Sequence, residues 1–186
     1  MDKIFIAKGD KNIRFDGRNL LSEREIEIVE ASKDLIYLKS GKSEIEISID
    51  IVPYLNNSEI TEENKKYEIT IMLENDTNLG INYTVNLIKD DGNVENMVQF
   101  GIYNLIQTKN FLNIDGKKIE IPKIKQIKKI YIGKIDNFII KDLTKEEKSC
   151  CEKILIVVLE ENNLKSLEVS KGFFNVSEIE TILKTL

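Results

Sequence analysis

From Glu44 to Ile51 isoleucine occupies every second position, with Ile45, Ile47, Ile49 and Ile51 alternating with Glu44, Glu46, Ser48 and Asp50. A period of two puts the isoleucines on one face of a strand and the polar residues on the other, which calls for a sheet with one buried side. Just upstream, Leu35 to Lys39 is a second short apolar run, and Ser40-Gly41 supplies the glycine that a tight reversal needs. Residues 35 to 51 therefore read as a β-hairpin.

The pattern recurs. Ile81, Tyr83, Val85 and Leu87 alternate with Asn82, Thr84 and Asn86, while Phe111 to Ile114 and Lys117 to Ile121 flank the turn pair Asp115-Gly116. A further hairpin is expected from Ile154 to Leu159 and Leu164 to Val169 around residues 160 to 163, with more strands at 3 to 7, 25 to 29, 67 to 73 and 127 to 140. The chain has 31 Ile against 2 Ala, but its 24 Lys and 18 Asn also fit AT-rich codon usage. Spacing, not composition, carries the strand assignment.

Helices are fewer. Val94, Met97, Val98, Ile102, Leu105 and Ile106 form one helical stripe, interrupted by Gly101, with Asn93 as a candidate N-cap. Near the end, Ser177 and Glu180 fit a capping box for a helix over 177 to 185, with Ile179, Ile182, Leu183 and Leu186 as its apolar stripe. Thr144 and Glu147 fit a second box for a short helix over 145 to 151.

The expected fold is thus α+β: a mainly antiparallel β-sheet built from hairpins, with one internal amphipathic helix and a short C-terminal helix. A final hairpin followed by a helix resembles the end of a pleckstrin-homology-like barrel, which makes such a barrel in the C-terminal part the alternative. The 186 residues suit a single domain over 1 to 186. The polar, turn-rich stretch from Asn56 to Lys66 offers the other division, 1 to 57 and 66 to 186.

What the sequence excludes is sharper. There is no histidine, so Ser-His and Cys-His nucleophiles, imidazole bases and His-ligated metals have no place within this chain. Cys150 and Cys151 are neighbours, too close for an unstrained disulfide and without zinc-site spacing, and are expected as reduced thiols. The apolar stretch Ile4 to Ala7 is too short for a signal peptide, and Ile154 to Leu159 is far short of the roughly 20 residues a membrane helix needs. A cytoplasmic protein without a membrane span is expected.

Candidate motifs fail on spacing. Gly41-Lys42-Ser43 lacks the earlier glycine of a phosphate loop, since Ile36 stands there, and a strand follows in place of a helix. Glu44, Glu46 and Asp50 line one strand face without convergence, and Asp90-Asp91-Gly92-Asn93 lacks the ligand spacing of a calcium loop. Glu146-Glu147-Lys148 offers a nuclease-like Glu-x-Lys, but on a helix. No catalytic, cofactor or metal residue is assigned.

The distinctive local feature is basic. Lys117, Lys118, Lys123, Lys125, Lys128, Lys129 and Lys134 face the single acid Glu120 between positions 117 and 134. These lysines read either as guards of a strand edge or as a patch for an anionic partner. Arginine is missing there, Tyr131 is the one aromatic, and the chain carries a net charge of −5. Nucleic acid is therefore not expected. The function expected is a non-catalytic, protein-binding accessory factor of immunity, adaptor or regulatory type, its partner another protein with an acidic surface. The alternative is a divalent-metal-dependent enzyme or nuclease using carboxylates and lysine.

Overall fold

The computed structural model describes Arg14 and residues 16–53, 71–72, 79–109, 111–114, 117–120 and 123–186. The expected strand at 3 to 7, the stretch 56 to 66, and the turn Asp115-Gly116 lie outside them. The chain forms two compact units: residues 1–25, 91–93 and 127–186 make one, and residues 26–90 and 94–126 the other.

In the second of these, β1 (Glu27–Ala31), β2 (Leu35–Ser40), β3 (Ser43–Pro53), β4 (Ile71–Met72) and β5 (Leu79–Lys89) form one antiparallel sheet in the order β1-β2-β3-β5-β4. The β2–β3 register sets Ile36 against Ile47 and Leu38 against Ile45, all buried. The alternation legible from Glu44 onward is thus the core face. Helix α1 (Val94–Gln107) covers it with Met97, Ile102, Leu105 and Ile106. Gly101 lets the helix approach: a Cβ there would lie 2.4 Å from Cδ1 of Ile47. β6 (Phe111–Ile114) and β7 (Lys117–Glu120) complete the unit as a hairpin.

The other unit holds β8 (Ile127–Ile135), β9 (Phe138–Lys141), α2 (Lys145–Cys150), β10 (Lys153–Glu160), β11 (Asn163–Lys171) and α3 (Val176–Leu183). Its strands run in the order β11-β10-β8-β9. Among the described residues the sheet is open, and the barrel alternative is not realised there. Residues 127 to 140, expected as one strand, are two: the chain reverses at Asp136-Asn137, with Asp136 at a positive φ of 52°. Ile130, Ile132, Leu155 and Val157 pack with Phe174 and Ile182 on one face, while Ile154 joins Leu20, Ile140, Leu143 and Cys151. Neighbouring positions 154 and 155 point to opposite sides of a strand, so both faces of this sheet are covered.

Both expected short helices form, one with a different start. Thr144 and Glu147 make the box of α2 as expected. The box of α3 is Asn175 with Glu178, not Ser177 with Glu180. Ser177 instead donates its hydroxyl proton to Asn175 Oδ1 at 2.8 Å, steadying the cap from inside the first turn.

Candidate functional site

All three arginines of the chain fall between positions 14 and 24, against 24 lysines spread along it. Together they form one buried ionic knot. The Arg14 side chain is wholly buried. Its Nε donates to Glu147 Oε1 at 2.8 Å and its Nη2 to Glu147 Oε2, while Nη1 donates to the Lys141 carbonyl at 2.7 Å and Nη2 to that of Asp142 at 2.9 Å. Only a planar fork with five N–H groups can make these contacts at once, which lysine cannot.

Asp142 is the second centre. Arg24 gives it three bonds, from backbone N at 2.7 Å, Nε at 2.9 Å and Nη2 at 2.8 Å, and Arg18 Nη1 adds another at 2.8 Å. The residue sits at a positive φ of 54°, a conformation aspartate tolerates better than most. Burial pushes its carboxyl up, but the hydrogen bonds and charge of Arg24, with Arg18, outweigh burial and hold it below the usual carboxylate range. Arg24 also reaches Asp91, donating to its carbonyl at 2.8 Å and its carboxylate at 3.1 Å. That contact makes the Asp90-Asp91-Gly92-Asn93 turn part of the knot.

These carboxylates are held, not poised. Glu147 Oε2 accepts from the Thr144 backbone as well as from Arg14, while Glu146, the carboxylate of the nuclease-like Glu-x-Lys, is exposed on α2. Lys148 turns instead to the Gly92 carbonyl at 2.8 Å, its ammonium 3.6 Å from the centre of the Tyr131 ring. Among the described residues, no group of three or more Cys, Asp or Glu is placed to hold a metal ion. Glu44, expected on a solvated face, accepts from Tyr37 Oη at 2.7 Å and Lys89 Nζ at 3.2 Å. Cys151 is buried and Cys150 exposed, neither in a disulfide, and burial pushes the Cys151 thiol up to about 12.

The seven candidate lysines divide between the two units. Lys117 and Lys118 lie on β7, and Lys123 and Lys125 are exposed in the segment that follows it. Lys128, Lys129 and Lys134 lie on β8 in the other unit. Among the described residues β9 pairs only with Ile132 to Ile135 of β8, so Lys134 is flanked by strands on both sides, while Lys128 and Lys129 are bonded to β10 alone. Lys128 pairs with Glu23, and Lys134 donates to Glu178 Oε1 at 2.7 Å. Lys153 donates to both oxygens of the same carboxylate at 2.9 Å. Hydrogen bonds from Lys134 and Lys153, then from the Asn175 backbone, lower the Glu178 carboxyl to about 2. No helix among the described residues is long and apolar enough to cross a membrane.

No protein-family model and no curated protein matches the sequence. Solved structures do match the fold. A chain of the Archaeoglobus fulgidus exosome with RNA bound to the active site superimposes with a TM-score of 0.64 at 15% identity, over 94% of this chain and 88% of that one. A chain of an archaeal exosome core gives 0.64 at 14% identity, over 94% and 86%. Rice (Oryza sativa) Rrp46 gives 0.61 at 13% identity, over 92% of each chain. The α+β architecture is shared with exosome subunits almost end to end. This likeness overturns two expectations: the non-catalytic, protein-binding accessory factor, and the absence of nucleic acid among its partners. A net charge of −5 bears on steering from a distance and not on a local contact, so it does not by itself exclude nucleic acid.

Proposed function

We propose that this chain is an RNA-contacting subunit of an exosome-like assembly. The observation that supports the reading is the fold likeness, which extends over 92 to 94% of the chain for three exosome proteins. Phosphate contact is assigned to Lys123 and Lys125, both exposed on the segment after β7. Lysine without arginine or aromatic neighbours suits the charge of the backbone and not the edges of bases, so binding is insensitive to sequence.

Fluorescence anisotropy with labelled single-stranded RNA tests the assignment, using the chain in the complex purified from its own cell. Affinity should fall steeply with salt. Lys123→Glu with Lys125→Glu should lower both affinity and the salt slope, the slope by about one for each phosphate that is no longer neutralised. Absence of RNA from the complex, after ultraviolet crosslinking in the cell and in the binding assay alike, would refute the reading.

A further inference from the structure

β11 is the outer strand of its sheet; among the described residues it bonds β10 on one side and no strand on the other. Its pairing with β10 slips twice, leaving Lys165 and Ser170 out of the ladder. The slips change which side chains share a face. Leu164, Leu167 and Val169 stand opposite Leu159, Val157 and Leu155, so all three lie on one side of the sheet. They are nonetheless 50%, 36% and 53% exposed.

A long edge with an exposed apolar row is a template for another strand, and lysine is the common guard against it. Here the guards turn back onto their own chain. Lys165 Nζ donates to Glu160 Oε1 at 3.0 Å, and Lys171 Nζ reaches the Ser149 carbonyl at 3.5 Å.

We infer that β11 pairs antiparallel with β11 of a second copy of this chain, about a two-fold axis through Leu167. An axis normal to the sheet keeps every side chain on its own face, so it must pass through a residue paired with itself. Centred on Leu167, the strand pairs with itself as follows: Leu167 meets Leu167, Ser166 meets Glu168 twice, Lys165 meets Val169, Leu164 meets Ser170 and Asn163 meets Lys171. No like charges oppose one another, and each Glu168 carboxylate faces a hydroxyl that can donate to it. The neighbouring registers fail. Centring on Glu168 or Lys165 sets like charges together, and centring on Ser166 sets two apolar residues against charges, Leu164 against Glu168 and Leu167 against Lys165, where the Leu167 centre sets only Val169 against Lys165. The pairing stands on the residues of this strand and not on the RNA reading.

Sedimentation equilibrium of the full chain between about 1 and 100 µM tests it. The wild type should show a concentration-dependent dimer. Val169→Lys, a charge in the apolar row, should raise its dissociation constant roughly 100-fold. Ile28→Lys, on the exposed edge strand β1, should leave the dimer intact. Leu167→Cys in a Cys150→Ser background should oxidise to a linked dimer, because directly opposed residues have Cα atoms about 4.5 to 5.5 Å apart. That variant carries the test alone where Val169→Lys fails to fold. A monomer throughout the range, a dimer released by Ile28→Lys and not by Val169→Lys, or a dimer that Leu167→Cys does not link would overturn the inference.

Discussion

Gly133 and Cys151 divide one space between them: a methyl group on the glycine would lie 2.2 Å from the cysteine sulfur and within 3.0 Å of both terminal carbons of Leu143. The absent side chain on β8 is the room that the buried thiol occupies. Gly133→Ala should therefore destabilise the protein by about 1–3 kcal/mol through overpacking. Cys151→Ala in the same chain removes the sulfur and should recover more than half of that loss. Urea unfolding of the two single variants and the double variant measures the coupling, and additive losses would count against a shared space.

Arg14→Lys keeps the charge and loses the fork. The side chain is fully buried, and lysine would leave part of Glu147 and the Lys141 and Asp142 carbonyls without donors. A loss of about 2–4 kcal/mol is expected, since breaking one member of a buried pair strands the other. Arg18→Lys should cost less than about 1 kcal/mol, because Arg18 is only partly buried and shares Asp142 with Arg24. Equal losses in denaturant titrations would deny Arg14 its special place.

Glu178 sets a pH dependence whose sign is fixed. Its carboxyl drops from an ordinary 4.5 to about 2 in the folded chain, so the unfolded state binds the proton first. The stability it contributes is fully present above the ordinary carboxylate range and is lost as pH falls through that window toward 2. Carbon-detected NMR titration should find a midpoint near 2, moving up when Lys134 and Lys153 are both changed to Met. A midpoint near 4.5 in the wild type would show that the two ammonium groups do not hold it.

Local signals were legible and distant ones were not. The hairpin of Leu35 to Ile51 could be read because period two and Gly41, at a φ of 59°, sit within one short window. The reversal at Asp136-Asn137 was missed because no glycine marks it. At α3, Asn175 with Glu178 and Ser177 with Glu180 both match a capping pattern, and only packing chooses between them. The arginine knot joins groups up to 133 residues apart, beyond any periodicity. Its trace was in the sequence all the same: where codon usage favours lysine, three arginines between positions 14 and 24 mark places where a planar fork is required. The proposed RNA contact has no such trace, since Lys123 and Lys125 look like any exposed lysines.

The 133 residues between Arg14 and Glu147 are also an interval of time. At about 5–20 residues per second, on the order of 10 s of translation separates the guanidinium from the carboxylate it must meet. The five-stranded sheet and its helix, residues 26–90 and 94–126, are synthesised in full within that interval. Arg14 stays hydrated throughout, waiting for an anion still to be made. Of the two units the arginine-held one is thus the later to be fully synthesised, and a chain arrested before Glu147 would present Arg14 without its carboxylate to any acidic surface nearby.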